Sequence, residues 1–322
     1  MDKYFSAIFH SILIIFSLIV MIYFARNQQF DHYSYLLYYE KISYLNSFNE
    51  SINSSRFEPG FAFLSYYLSR LIESPTIHFF FVASIVVLIK YKLFVKYLYS
   101  PILAWLFYLA VFIPAFESNQ LRTAIATIFL LYVLLKREKN KGFFLLQTFF
   151  SMLFHYGGAI ILFFNIERRL KLLLVGLILA VIISFNLDFI LKFLDSMNPA
   201  LRLRLFMSTH NEYQTANIFS SVHITQFFIV ILGLISWKTL SQNQKKGLFL
   251  IFIGSFIYIL LYYNPAIAHR IREISLLGVI PLLFADKIRW SYSFFLIVIG
   301  VLYIASYSSY WNIVRLITHQ QL

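Results

Sequence analysis

Apolar runs long enough to cross a bilayer alternate along this chain with short charged connectors, and that alternation predicts helices. A crossing takes about 20 apolar residues. The first such run is 6–24, and others follow at 77–89, 101–116, 121–135, 143–165, 172–185, 224–237, 247–263, 274–285 and 292–310. A shorter run, 60–72, carries Arg70. Two polar stretches interrupt the series: 25–59, with its clustered Tyr33, Tyr35, Tyr38, Tyr39 and Tyr44, and 186–222. The pattern predicts an all-α, polytopic integral membrane protein with a single domain over 1–322. It would hold about nine to eleven transmembrane or re-entrant segments. Outer loops are expected at 25–59 and 186–222, with amphipathic helices on the outer face. No small-residue cleavage site follows the first run, so it reads as a retained helix.

Composition agrees. The chain is 60% hydrophobic and only 13% charged, with mean hydropathy +0.73, which excludes an ordinary soluble domain. The formal charge of +13 would suggest nucleic acid in a soluble protein. Here the charges sit in connectors between apolar runs, so they read as orientation signals and contacts to anionic membrane lipids, with no nucleic-acid partner. There is no cysteine, hence neither a disulfide nor a thiolate metal site.

The basic residues divide by type. Lysine dominates one set of connectors (Lys90, Lys92, Lys96; Lys136, Arg137, Lys139, Lys141; Lys245, Lys246) and arginine the other (Arg26, Arg56, Arg122, Arg202, Arg204, Arg270, Arg272). Lysine-rich short loops belong on the cytoplasmic side. Arginines on the far side need another reason, and the guanidinium fork suits bidentate binding of phosphate. The lysine pattern is consistent if 60–72 only dips into the outer leaflet and 143–165 is a broken hairpin. Its centre, Phe154-His155-Tyr156-Gly157-Gly158, supplies a break. The alternative is that both segments cross.

Several residues could carry chemistry. Arg122 begins a predicted span and is followed by small residues, so it either snorkels to headgroups or lines a site. His155 lies deep in an apolar run beside two glycines, as a core histidine or a proton-transfer group. Arg270 and Glu273 share a helix face and could pair. Arg202 and Arg204 alternate with leucines in an amphipathic segment. Asp31 and Glu58 are candidate carboxylate bases, although Glu58 before Pro59-Gly60 could instead cap a helix. Tyr35 and its neighbours could stack on sugar faces. No His, Asp and Glu cluster has metal-ligand spacing, and there is no phosphate-binding loop, nucleophile elbow or dinucleotide fingerprint.

Taken together these segments resemble the EpsG/Wzy-type family of bacterial polysaccharide polymerases, which assemble O-antigen, capsule or exopolysaccharide. The matching pieces are Arg26 and Asp31 followed by tyrosines, then Glu58-Pro59-Gly60-Phe61, Leu121-Arg122-Thr123-Ala124-Ile125-Ala126, Phe154-His155-Tyr156-Gly157-Gly158 and Arg270-Ile271-Arg272-Glu273. The resemblance implies a glycosyltransferase in the bacterial inner membrane with its active site facing outward. Its donor and acceptor would be undecaprenyl-diphosphate-linked oligosaccharides, and a chain-length regulator and a flippase would be partners. No cofactor or metal is implied. Arg122 and Arg270, supported by Arg272 or Arg204, would stabilise the departing pyrophosphate. Arg26 and Tyr35 would contact substrate, and His155, Asp31 or Glu58 would take the hydroxyl proton. A flippase, a glycan ligase and a membrane O-acyltransferase are the competing classes.

Overall fold

The computed structural model describes residues 3–27, 30–54, 57–136, 140–165, 219–261, 265–287 and 294–306. The chain divides into two compact units. The first comprises Met1–Ala159, Leu283–Ile288 and Leu302–Leu322, and the second Ile160–Leu282 and Arg289–Val301. All regular structure among the described residues is helical.

In the first unit, α1 (Lys3–Asn27) and α5 (Pro75–Tyr97) are long and apolar enough to cross a membrane. At 1.5 Å per residue, α5 spans about 35 Å against a hydrocarbon core of about 30 Å. Its start is set locally: Pro75 fixes the first turn, and the Ser74 hydroxyl accepts the Ile77 amide at 3.4 Å. On α1, Leu13, Ser17, Met21 and Ala25 recur every four residues and are buried, whereas Ile8, Ile12, Ile15 and Ile19 are exposed. An apolar face left outside is expected where lipid is the solvent. The inner face is tied at Ser17, whose hydroxyl accepts from Trp105 Nε1 at 2.8 Å, and at Met21, whose carbonyl accepts from Ser118 Oγ at 3.1 Å.

The polar stretch expected as an outer loop is largely helical, forming α2 (Phe30–Ser43) and α3 (Phe48–Ser54). The reason is periodicity. Tyr35, Tyr38, Tyr39 and Ile42 follow i, i+3, i+4, i+7, and all four are buried on one face. That face packs on α4 (Pro59–Ser69) and α5. With 11 residues, α4 rises only about 16 Å, too short to cross alone. At its end Arg70 donates from Nη1 to Ser43 O at 3.2 Å and from Nη2 to Leu45 O, so it closes the last turn of α2.

After α6 (Pro101–Val111) and a run of turns, α7 (Leu121–Leu135) and α8 (Lys141–Phe154) form an antiparallel hairpin. Its layers read Tyr132 on Phe143, Phe129 on Phe150, and Ala126 against Ser151, whose hydroxyl donates to the Ala126 carbonyl at 2.9 Å. The expected break in 143–165 is present. The α-helix stops at Phe154, His155 is extended, and Tyr156–Asn165 continues as a 3₁₀ helix. Gly158 is required there for space: a Cβ would lie 2.2 Å from Ser151 Oγ.

The second unit contains α9 (Ser221–Ile235), α10 (Gln242–Leu260), α11 (Pro265–Leu276) and most of α12 (Val279–Phe284). A further helix, α13 (Phe294–Ser306), begins in it. A Ser241–Gln244 capping box starts α10. Close packing relies on small residues: a Cβ on Gly247 would lie 2.2 Å from the Gly278 carbonyl, and the reverse also holds.

Candidate functional site

The α2–α4–α5 packing and the α7–α8 hairpin bring one set of predicted residues together. Arg122 is in the first turn of α7. Its Nη1 forms an ion pair with Glu58 Oε2, and its Nε donates to the Tyr35 hydroxyl at 3.3 Å. The guanidinium lies over the Phe57 ring at 4.5 Å, and Tyr35 stacks on that same ring at 5.3 Å. Tyr38 meets Phe57 edge-on at 4.5 Å. The result is an arginine held by one carboxylate and one phenol inside aromatic walls. Among the described residues Nη2 has no partner. The Arg122 side chain is 14% exposed and that of Glu58 6%, so the pair is buried with one edge open.

Glu58 does not do what its position before Pro-Gly suggested. It is the N-cap residue of α4, but its side chain makes no capping bond and reaches Arg122 instead. Gly60 explains how it can. A Cβ at Gly60 would lie 2.7 Å from the Leu153 carbonyl, so only glycine lets the start of α4 lie against the end of α8.

His155 terminates α8 and is buried. In the hairpin, Ala126 opposes Ser151. Arg122 lies four residues before Ala126 on α7, and His155 follows the last residue of α8 in an extended conformation. The Gly157 amide donates to His155 Nδ1 at 2.9 Å. With Nδ1 accepting, the neutral ring carries its proton on Nε2.

The other predicted residues lie on other elements. Arg26 is exposed at the last turn of α1. Asp31 is in the first turn of α2, and its side chain is outside the described residues, as are Arg202 and Arg204. Arg270 and Arg272 are half-buried on α11 in the second unit, where the Arg272 guanidinium lies over Tyr258 at 4.9 Å. Tyr258 also packs on His223 at 4.6 Å and His269 at 5.3 Å. Among the described residues no three His, Asp or Glu side chains gather as metal ligands.

One cluster was missed, and it corrects the charge reading. Lys90 is not in a connector: α5 continues to Tyr97 and buries it completely. Its Nζ bonds Glu117 Oε1 at 2.6 Å, Tyr108 OH at 2.7 Å and Thr127 Oγ1 at 2.8 Å. The Tyr108 hydroxyl also donates to Glu117 Oε1 at 2.7 Å. Lys90 is therefore no orienting surface charge, and Glu117 is no exposed outer carboxylate. The signal was available, since a lysine seven residues before the end of a 23-residue apolar helix must have a buried partner or a wet path.

Apolar helices, two of them long enough to cross a membrane, point to a membrane protein, and its first unit holds an arginine paired with a carboxylate among aromatic rings. The chain belongs to the EpsG family, whose family model matches residues 8–321, nearly its whole length. Membership points to a polysaccharide polymerase-type function. The comparison with curated proteins and with solved structures finds no match.

Proposed function

We propose that this protein polymerises undecaprenyl-diphosphate-linked oligosaccharide repeat units into a surface polysaccharide, as a multi-pass enzyme of the bacterial inner membrane working on its outer face. The observation that carries this reading is the Arg122 cradle in an EpsG-family chain. A polymerisation of this kind transfers the growing glycan from a lipid pyrophosphate to a sugar hydroxyl of the next unit. The departing pyrophosphate gains negative charge, and a desolvated guanidinium with an open edge stabilises such charge. His155, at the end of α8, is the candidate for a second contact to the same anion or to a sugar oxygen. The buried tyrosines and Phe57 form the apolar walls that hold the guanidinium in place. Arg270 and Arg272 serve as further anion contacts, a flippase supplies the substrate, and a chain-length regulator acts on the product.

The test is the surface-glycan size profile of a strain lacking this gene. A capped single repeat in place of a ladder, with the ladder restored by the wild-type gene, is the expected result. Loss of even the single repeat would favour a flippase or a ligase instead. An unchanged ladder, in a strain shown to have no second polymerase, would contradict the assignment.

A further inference from the structure

We propose that Glu58 is the general base of the transfer and that Arg122 holds it in reserve until the donor's pyrophosphate displaces it. This rests on the polymerase reading and specifies how its site would operate.

Glu58 gives up the capping role its position offers. A carboxylate at a helix N-cap normally takes the free amides of the first turn. Glu58 leaves them and goes to Nη1 of Arg122. Arg122 thus has two neighbouring nitrogens on its fork, one occupied by Glu58 and one, Nη2, without a partner among the described residues. A pyrophosphate oxygen pair binds both nitrogens at once and carries more charge than a carboxylate. Two anions then compete for one guanidinium at an open edge, and the pyrophosphate has the better geometry.

The displaced Glu58 is left in apolar surroundings without its cation, beside Phe57 and Tyr35. An unpaired carboxylate is disfavoured there, and accepting a proton relieves it. His155 does not compete for this role, because its Nδ1 already accepts the Gly157 amide and its Nε2 is a donor.

In the transfer the acceptor sugar's O–H bond breaks and its proton goes to a Glu58 carboxylate oxygen. The acceptor oxygen forms a bond to the donor's anomeric carbon. The bond from that carbon to pyrophosphate breaks, and its electron pair leaves with the pyrophosphate held by Arg122. Departure of the pyrophosphate lipid lets Glu58 release its proton and return to the guanidinium. Base and anion clamp are thereby coupled: Glu58 is free only when a donor is bound.

The coupling makes an unusual demand, namely that removing a carboxylate should tighten binding while abolishing chemistry. The full-length protein in lipid nanodiscs is titrated with undecaprenyl diphosphate as probe, comparing wild type, Glu58→Gln, Glu58→Asp and Arg122→Gln. Each variant is also tested for restoring a glycan ladder in the deletion strain. Glu58→Gln is expected to bind the probe about tenfold tighter and to make no ladder. Glu58→Asp, with a shorter reach to Arg122, should bind more tightly than wild type and keep part of the ladder. Equal or weaker binding by Glu58→Gln, or a ladder made by it, overturns the proposal. If Glu58→Gln does not accumulate, Glu58→Asp decides in the same way: tighter binding supports the exchange, and unchanged or weaker binding overturns it. Arg122→Gln separates the two levels. If it binds the probe as wild type does, the anion role of Arg122 fails and the polymerase site with it; if it loses binding while Glu58→Gln is not tighter, only the exchange fails.

Discussion

Two buried ion pairs stand within the same unit, and they differ in what surrounds them. Lys90 and Glu117 are fully enclosed, and Lys90 Nζ has three oxygen partners between 2.6 and 2.8 Å. All three ammonium hydrogens are thereby used. Arg122 and Glu58 keep one open edge and one guanidinium nitrogen without a partner among the described residues. The first pair joins α5, α6, α7 and the turns before α7, and no ligand can reach it. The second spends part of its charge on protein and presents the rest. Enclosure on every side suits a structural role, and an open edge suits binding.

The largest effect separates these roles through stability. Lys90→Met leaves Glu117 in the core without its cation and should cost about 3–5 kcal/mol, whereas Lys90→Met with Glu117→Leu should recover most of it. Chemical denaturation of the purified protein in micelles measures both. If the double variant is as unstable as the single one, the pair is more than a structural tie.

Next is the open pair. Arg122→Gln should lower the polymerisation rate about 10²–10³-fold, as loss of one preorganised donor to developing charge does elsewhere. Its stability loss should be smaller than that of Lys90→Met, since the Arg122 side chain is 14% exposed whereas that of Lys90 is fully buried. Time courses of polymer formation in membranes, normalised to protein level, check this. Of intermediate size is Gly158→Ala, which forces a methyl group onto Ser151 and should cost about 1–3 kcal/mol by disturbing the hairpin that presents His155. Tyr35→Phe removes a single bond to Arg122 Nε and should weaken undecaprenyl diphosphate binding by less than about tenfold.

The last effect lies off both pairs and shows only on acidification. Burial holds the His32 imidazole down at about 4, below its ordinary 6.5. Folding therefore favours the neutral ring. Its contribution is complete above about pH 6.5 and is lost as pH falls toward 4. His32→Phe, which keeps the edge contact to Phe79, should flatten the stability profile in that window. A profile identical to wild type would show that His32 is not its source.

Much of this was legible in the order of residues. The break at His155 follows from paired glycines within an apolar run, and Arg122 and Glu58 were both singled out by type and place. Their contact was not, because 64 residues separate them and only the meeting of α4 with α8 aligns them. Two further features were misread for physical reasons. The tyrosines of α2 were placed in an outer loop, although the spacing of Tyr35, Tyr38 and Tyr39 is that of a buried helix face. Lys90 looked like the first residue of a connector because hydropathy falls there, while the helix and its burial run on to Tyr97. Hydropathy reports where charge becomes costly, and it does not report a partner 27 residues away that removes the cost.

The most direct test sets the two pairs side by side. Lys90→Met/Glu117→Leu and Arg122→Gln, each purified and shown to be folded, are given membranes containing the native lipid-linked repeat units, and the glycan length distribution is measured. Long chains are expected from the enclosed-pair variant and only single repeats from Arg122→Gln if the open pair binds the pyrophosphate. Long chains from Arg122→Gln would contradict that binding, whatever the other variant does.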